Sequence, residues 1–216
     1  MKNSIHSTDN SKETARIEAF SDGVFAIAIT LLILEIKVPN GVELNSGLLH
    51  ALFEKWPSYL AFFIGFFTVL VCWINHHYLF NRIRSAGHSL ILANSFTLFI
   101  VTFVPFPTAV LSASFKKGDL QTAVQLFGVT FFLMALAYRT LSSFVDSDKN
   151  TESTAENKKY KRAIVTMYSM SIVHTSVTFA VTFYSVNISL VLYTLLFSMF
   201  LFPIWYTKLI MKLQSR

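Results

Sequence analysis

From Trp56 to Phe80 the chain carries no Asp, Glu, Lys or Arg. A helix of that length rises about 37 Å, enough to cross a hydrocarbon layer of about 30 Å. The stretch is apolar all round rather than along one stripe, which is what a membrane rather than a soluble core selects. Similar segments recur, and six spans follow: about 17–38, 57–81, 88–114, 120–144, 162–184 and 188–210. The composition agrees, with 53% hydrophobic and 14% charged residues, where a soluble domain has about a quarter charged. The expected fold class is all-α, a polytopic membrane protein with six transmembrane helices per chain.

Lys and Arg set the orientation. Fourteen of the 18 fall in the N-terminus, the 2–3 loop, the 4–5 loop with its flanks, and the C-terminus. Lys37, Lys55, Lys116 and Lys117 fall on the other side. Both termini are therefore expected in the cytoplasm, and the net charge of +6 reflects topology rather than nucleic-acid binding. The expected organisation is a cytoplasmic segment 1–15 and one six-helix domain 16–216, with a cytoplasmic 4–5 loop at about 145–161. No cleavable signal peptide is expected, because no small-residue cleavage site follows the first apolar run. The single cysteine, Cys72, lies within a span and reads as a core residue. Pro105 and Pro107 are expected to kink or break the third span near its far end.

The first span raises the main question. In RIEAFSDGVFAIAITLLILEIKVP, Glu18 and Asp22 stand at the mouth of an apolar run, where carboxylates are costly unless satisfied. At about 100° per residue, Gly23, Ile27, Thr30, Leu31 and Leu34 fall within about 100° of one another. Glu18 and Asp22 fall about 180° and 140° from Ile27, so they are expected to look into the protein. The end of the second span, CWINHHYLFNR, offers partners at matching depth. Ser21 and Asp22 are expected to bond with Trp73, Asn75, His76 or His77, and Arg16 to pair with Glu18 or cap the bundle. Asp22 as a mere N-cap and a proton relay through the histidines are the alternatives. A shared metal ion is disfavoured, since adjacent histidines point about 100° apart. His174, amid Ser and Thr, reads as a packing residue.

The pattern R-x-x-x-F-S-D, here Arg16, Phe20, Ser21 and Asp22, opens an apolar six-helix chain and resembles the signature of the transmembrane protein 175 family of potassium channels. The Trp/Asn/His cluster at Trp73, Asn75, His76 and His77 fits the same family, in its single-repeat prokaryotic form. The resemblance implies a homotetramer with four copies of the first helix around a central pore, lined by Ile27, Thr30, Leu31 and Leu34. It implies a hydrophobic constriction in place of a TVGYG filter, which the sequence lacks. K+ would be the permeant ion, with no cofactor, no metal, no small-molecule substrate and no nucleic-acid partner. The setting would be the lipid bilayer of the cell (inner) membrane. On helical geometry alone the stripe reads as helix-packing surface, and Thr30 could bond the carbonyl of Ala26 four residues back. A proton- or ion-coupled secondary transporter is the competing class, for which broken helices at Pro105–Pro107 would speak. An enzyme is not expected: Ser21, Asp22 and His77 could imitate a triad, but they are needed to satisfy one another and no oxyanion-hole glycine pattern accompanies them.

Overall fold

The computed structural model describes residues 2–41, 45, 47–83, 87–145 and 155–213. The stretch 146–154 of the expected 4–5 loop, with Lys149, and the C-terminal residues to Arg216 lie outside the described residues. The described residues are helical, without strands. Helix α1 (Lys2–Leu31) tightens into a 3₁₀ turn at Leu32–Glu35. A short α2 (Leu48–Glu54) leads into α3 (Trp56–Phe80). Then come α4 (His88–Phe103), α5 (Pro105–Lys117) and α6 (Leu120–Ser142). Helices α7 (Ala155–Val181), α8 (Val186–Leu201) and α9 (Pro203–Leu213) complete the bundle.

Five stretches are long and apolar enough to cross a membrane: Glu13–Glu35, Trp56–Phe80, His88–Phe115, Leu120–Ser142 and Asn157–Val181. Val186–Leu201 and Pro203–Leu213 make a sixth candidate, bent by 90°. The sixth span therefore is not the straight 188–210 helix expected. Pro203 has no N–H to give and drives the residue before it out of the helical region. Phe202 accordingly adopts φ −122°, ψ 58° and closes α8 by donating its N–H to the Ser198 carbonyl. The 16 residues of α8 span about 24 Å, and α9 turns aside.

The prolines of the third span interrupt it where their positions led us to expect, at the residue before Pro105. The α-helical pattern is interrupted at Val104 alone, which keeps helical dihedrals of φ −53° and ψ −38°, so His88–Phe115 remains one candidate span. The Val104 carbonyl is taken up by the Thr108 hydroxyl at 2.9 Å and the Thr108 N–H at 3.2 Å. Gly65 of α3 makes room there: a Cβ on it would lie 2.7 Å from Thr108 Oγ1 and 2.9 Å from Leu32 Cδ2.

The core sits between α1, α3, α4, α6 and α7, around Leu32, Val69, Leu79, Leu90, Leu141 and Ile164. Cys72 is buried there, its Sγ 2.8 Å from Met134 Sδ. The Tyr138 hydroxyl donates to the Cys72 carbonyl at 2.6 Å. Asn75 ties three helices together. It donates to the Phe200 carbonyl of α8 at 2.6 Å and the Val71 carbonyl at 2.8 Å, and accepts from the Tyr168 hydroxyl of α7 at 2.9 Å. With no water in hydrocarbon to satisfy an amide, such full pairing is what allows Asn75 to be buried.

Candidate functional site

Helix α1 has two unlike faces. Ser21, Phe25, Ala28 and Leu32, spaced by four, three and four, are each no more than 1% exposed. They centre about 130° round the helix from Ile27. On the far side Ile27 is 60% exposed, Leu31 45% and Leu34 59%, and Gly23 and Thr30 are exposed as well. The 3₁₀ turn keeps this row straight: at three residues per turn Leu34 stands directly over Leu31, and Ile33 over Thr30. Ile33, exposed too, is one residue that a uniform 100° wheel leaves off the row. Phe20 is another correction. Expected among the anchoring residues, it is 67% exposed and sits on the open edge. Thr30 donates its hydroxyl to the Ile27 carbonyl at 2.9 Å rather than to Ala26. At the far end of the row, Lys37 Nζ donates to the Leu34 carbonyl at 2.8 Å.

The anchoring of α1 splits into a buried chain and a surface pair. In the buried chain, His76 Nε2 bonds Asn94 Oδ1 at 2.8 Å, Asn94 Nδ2 donates to Ser21 Oγ at 2.9 Å, and the Ser21 hydroxyl donates to the Ile17 carbonyl at 2.8 Å. Because the Asn94 amide nitrogen is committed to Ser21, its oxygen must accept, which assigns the His76 proton to Nε2. His76 lies between the rings of Phe80 and Phe25, with centroids 4.2 and 5.2 Å away. The chain thus locks α1 to α3 through α4.

The surface pair holds the carboxylates. Trp73 Nε1 donates to Asp22 Oδ1 at 2.8 Å, and His77 Nδ1 meets Glu18 Oε1 at 3.1 Å. The Trp73 and His77 rings stack, 5.8 Å apart. Both acids are half-buried along the α1–α3 groove, with His77 itself 50% exposed. They do not point into the bundle as expected, because the buried face is centred some 50–90° from them rather than opposite Ile27. Asn75 is not among their partners either; it faces α7 and α8. Arg16 is exposed. Among the described residues no three His, Cys, Asp or Glu side chains come together as metal ligands.

Asn94 is the anchoring residue that the sequence reading missed. Its signal was available: a lone amide in the run SLILANSFTLF, where a polar side chain in a membrane helix implies an interhelical partner.

A family model described as the endosomal/lysosomal potassium channel TMEM175 matches residues 16–105, from midway along α1 to the first residue of α5. A potassium channel of Chamaesiphon minutus is 39% identical over 172 residues, 79% of this chain and 85% of that protein. The chain belongs to the TMEM175 family. The crystal structure of a lysosomal potassium-selective channel TMEM175 homolog from the same organism superposes with a TM-score of 0.76 at 38% identity, covering 88% of this chain and 96% of that one. The endosomal/lysosomal proton channel TMEM175 of Bos taurus is 42% identical over 129 residues, 56% of this chain but 27% of that longer protein. TMEM175 proteins are multi-pass membrane channels rather than enzymes, and the arrangement of α1, α3 and α4 lies inside the part the family model matches.

Proposed function

We propose that this TMEM175 chain forms a potassium-permeable cation channel in which four copies stand around an axis with the open edge of α1 turned to the ion path. The observation that carries the reading is the one-sidedness of α1: its buried face is locked to α3 and α4, while Ile27, Leu31 and Leu34 stay exposed among the described residues. The relatives named as potassium channels supply the ion. The excess of Lys and Arg in the N-terminal, 2–3, 4–5 and C-terminal segments supports an orientation with both termini in the cytoplasm.

An apolar constriction cannot repay the tens of kcal/mol, roughly, that a bare ion would cost in such a medium. Ions therefore pass at least partly hydrated, and rings of Ile27 and Leu34 gate by wetting and dewetting. Thr30 is the one side-chain hydroxyl of the row. Its proton is committed to the Ile27 carbonyl, so its oxygen lone pairs face outward and can replace some of an ion's water. Four such oxygens favour potassium over sodium modestly. Reconstituted protein is expected to pass K+ faster than Na+, and Ile27→Asn to raise the flux by keeping the constriction wet. An Ile27→Asn channel with unchanged flux would remove the constriction from the account.

The interruption of the third span at Val104 is the feature that a second reading, a secondary transporter, would use. Transport that saturates with K+ concentration and is driven by a proton gradient would select it. Flux that rises linearly selects the channel.

A further inference from the structure

The elbow between α8 and α9 encloses a groove of about 530 Å³ against the last two turns of α3. Ile74, Leu201, Phe202 and Ile204 make its apolar wall, while Asn81, Trp205 and Lys208 stand at its rim. On α3 and its capping residue Asn81 the lining residues Ile74, His77, Tyr78 and Asn81 follow at i, i+3, i+4 and i+7, a single helix face. Bonds made by two of its lining residues, Tyr78 and Pro203, fix α9 against α3 and so shape the groove. Thr207, fully buried on α9, donates to the Pro203 carbonyl at 2.8 Å and accepts from the Tyr78 hydroxyl of α3 at 3.2 Å. Tyr160 of α7 bonds the same Tyr78 hydroxyl and lies under the Arg82 guanidinium, 4.2 Å from its ring centre.

The direction of α9 says what meets the groove. At 90° to α8, it runs along the membrane plane when α8 crosses the membrane. It exposes Ile204, Trp205, Leu209 and Leu213 together with Lys208 and Lys212. Apolar residues, a tryptophan and lysines on one surface helix are the make-up of an interfacial helix that sits at the headgroup level. An apolar wall beneath a cationic rim calls for a molecule with a hydrocarbon chain and a negative head.

We propose that the groove between α3 and the α8–α9 elbow binds one anionic phospholipid. Its phosphate accepts from Lys208 Nζ and Asn81 Nδ2, and an acyl chain lies along Ile74, Leu201 and Phe202. The inference rests on the chain spanning a membrane and not on what ion it conducts, so the test reads lipid rather than flux.

Full-length protein is reconstituted with equal phosphatidylglycerol and phosphatidylcholine, extracted, and its retained lipid counted by native mass spectrometry. Phosphatidylglycerol is expected to be retained about five-fold over phosphatidylcholine, the ratio that one basic residue near the surface supplies. Lys208→Gln brings the ratio to parity, whereas Lys212→Gln, one turn further along α9 and outside the groove, keeps it. Equal retention of the two lipids by the unaltered protein overturns the proposal. So does equal loss in both variants, which would mean diffuse surface charge. An Ile204→Cys variant that forms disulfides between copies in the membrane also overturns it, because a neighbouring subunit would then cover the groove.

Discussion

The buried chain His76–Asn94–Ser21 makes a quantitative demand on α1 anchoring. Replacing Asn94 by Leu removes two hydrogen bonds, but the two losses are unequal. Ser21 keeps its donation to the Ile17 carbonyl and loses only an incoming bond, which is cheap for a hydroxyl with lone pairs to spare. His76, with no exposed surface, is left with an Nε2–H among aromatic rings and nothing to accept it. Such an orphan costs about 1–3 kcal/mol, or about 4–8 °C in melting temperature for a middle value of about 2 kcal/mol in a chain of this length. His76→Phe costs a similar amount by stranding the Asn94 oxygen. The double variant removes both ends of the bond, and Phe suits the space between Phe25 and Phe80, so it is expected to melt within about 3 °C of the original protein. The assay is thermal unfolding in one detergent, with retention of the folded species on size-exclusion chromatography as a check. A double variant whose loss equals the sum of the two single losses would refute the pairing.

Two further outcomes follow from particular atoms. A Cβ on Gly128 would collide with the Tyr193 hydroxyl and lie 2.8 Å from Phe179, and among the described residues that buried hydroxyl has no hydrogen-bond partner. Gly128→Ala is therefore expected to destabilise by about 1–3 kcal/mol, and Tyr193→Phe, neutral or slightly stabilising alone, to restore much of the loss; denaturant titration of both variants checks the pair. Thr30→Ala is expected to lower the potassium-to-sodium permeability ratio while leaving the fold intact, read from reversal potentials in planar bilayers; an unchanged ratio removes Thr30 from selectivity.

Much of the bundle was legible because hydropathy is a property of long windows. A span such as Trp56–Phe80 declares itself without any tertiary information. The open row of α1 was legible for a related reason: angular position depends only on helix geometry, and the 3₁₀ turn at Leu32–Glu35 happens to keep Leu34 in line. The elbow at Phe202–Pro203 was not, because a hydropathy average runs through a single proline between two apolar stretches. The partners of Asn75 were beyond reach for another reason. A helical wheel gives its direction relative to its own helix, whereas Phe200 and Tyr168 are brought to it by the packing of α7 and α8. The carboxylates lie between these cases. Their partners Trp73 and His77 could be named from matching depth, but not their place on the flank of the buried face, which depends on where α3 and α4 press against α1.

The central claim is that the exposed edge of α1 faces water in the assembled protein. Single cysteines at Ile27 and Leu34, with Ala28 as the buried comparison, are labelled in the membrane by a small charged thiol reagent while K+ current is recorded. The account predicts that reagent blocks current at Ile27 and Leu34 and has no effect at Ala28. Protection of both edge positions under every condition, with current untouched, would contradict it.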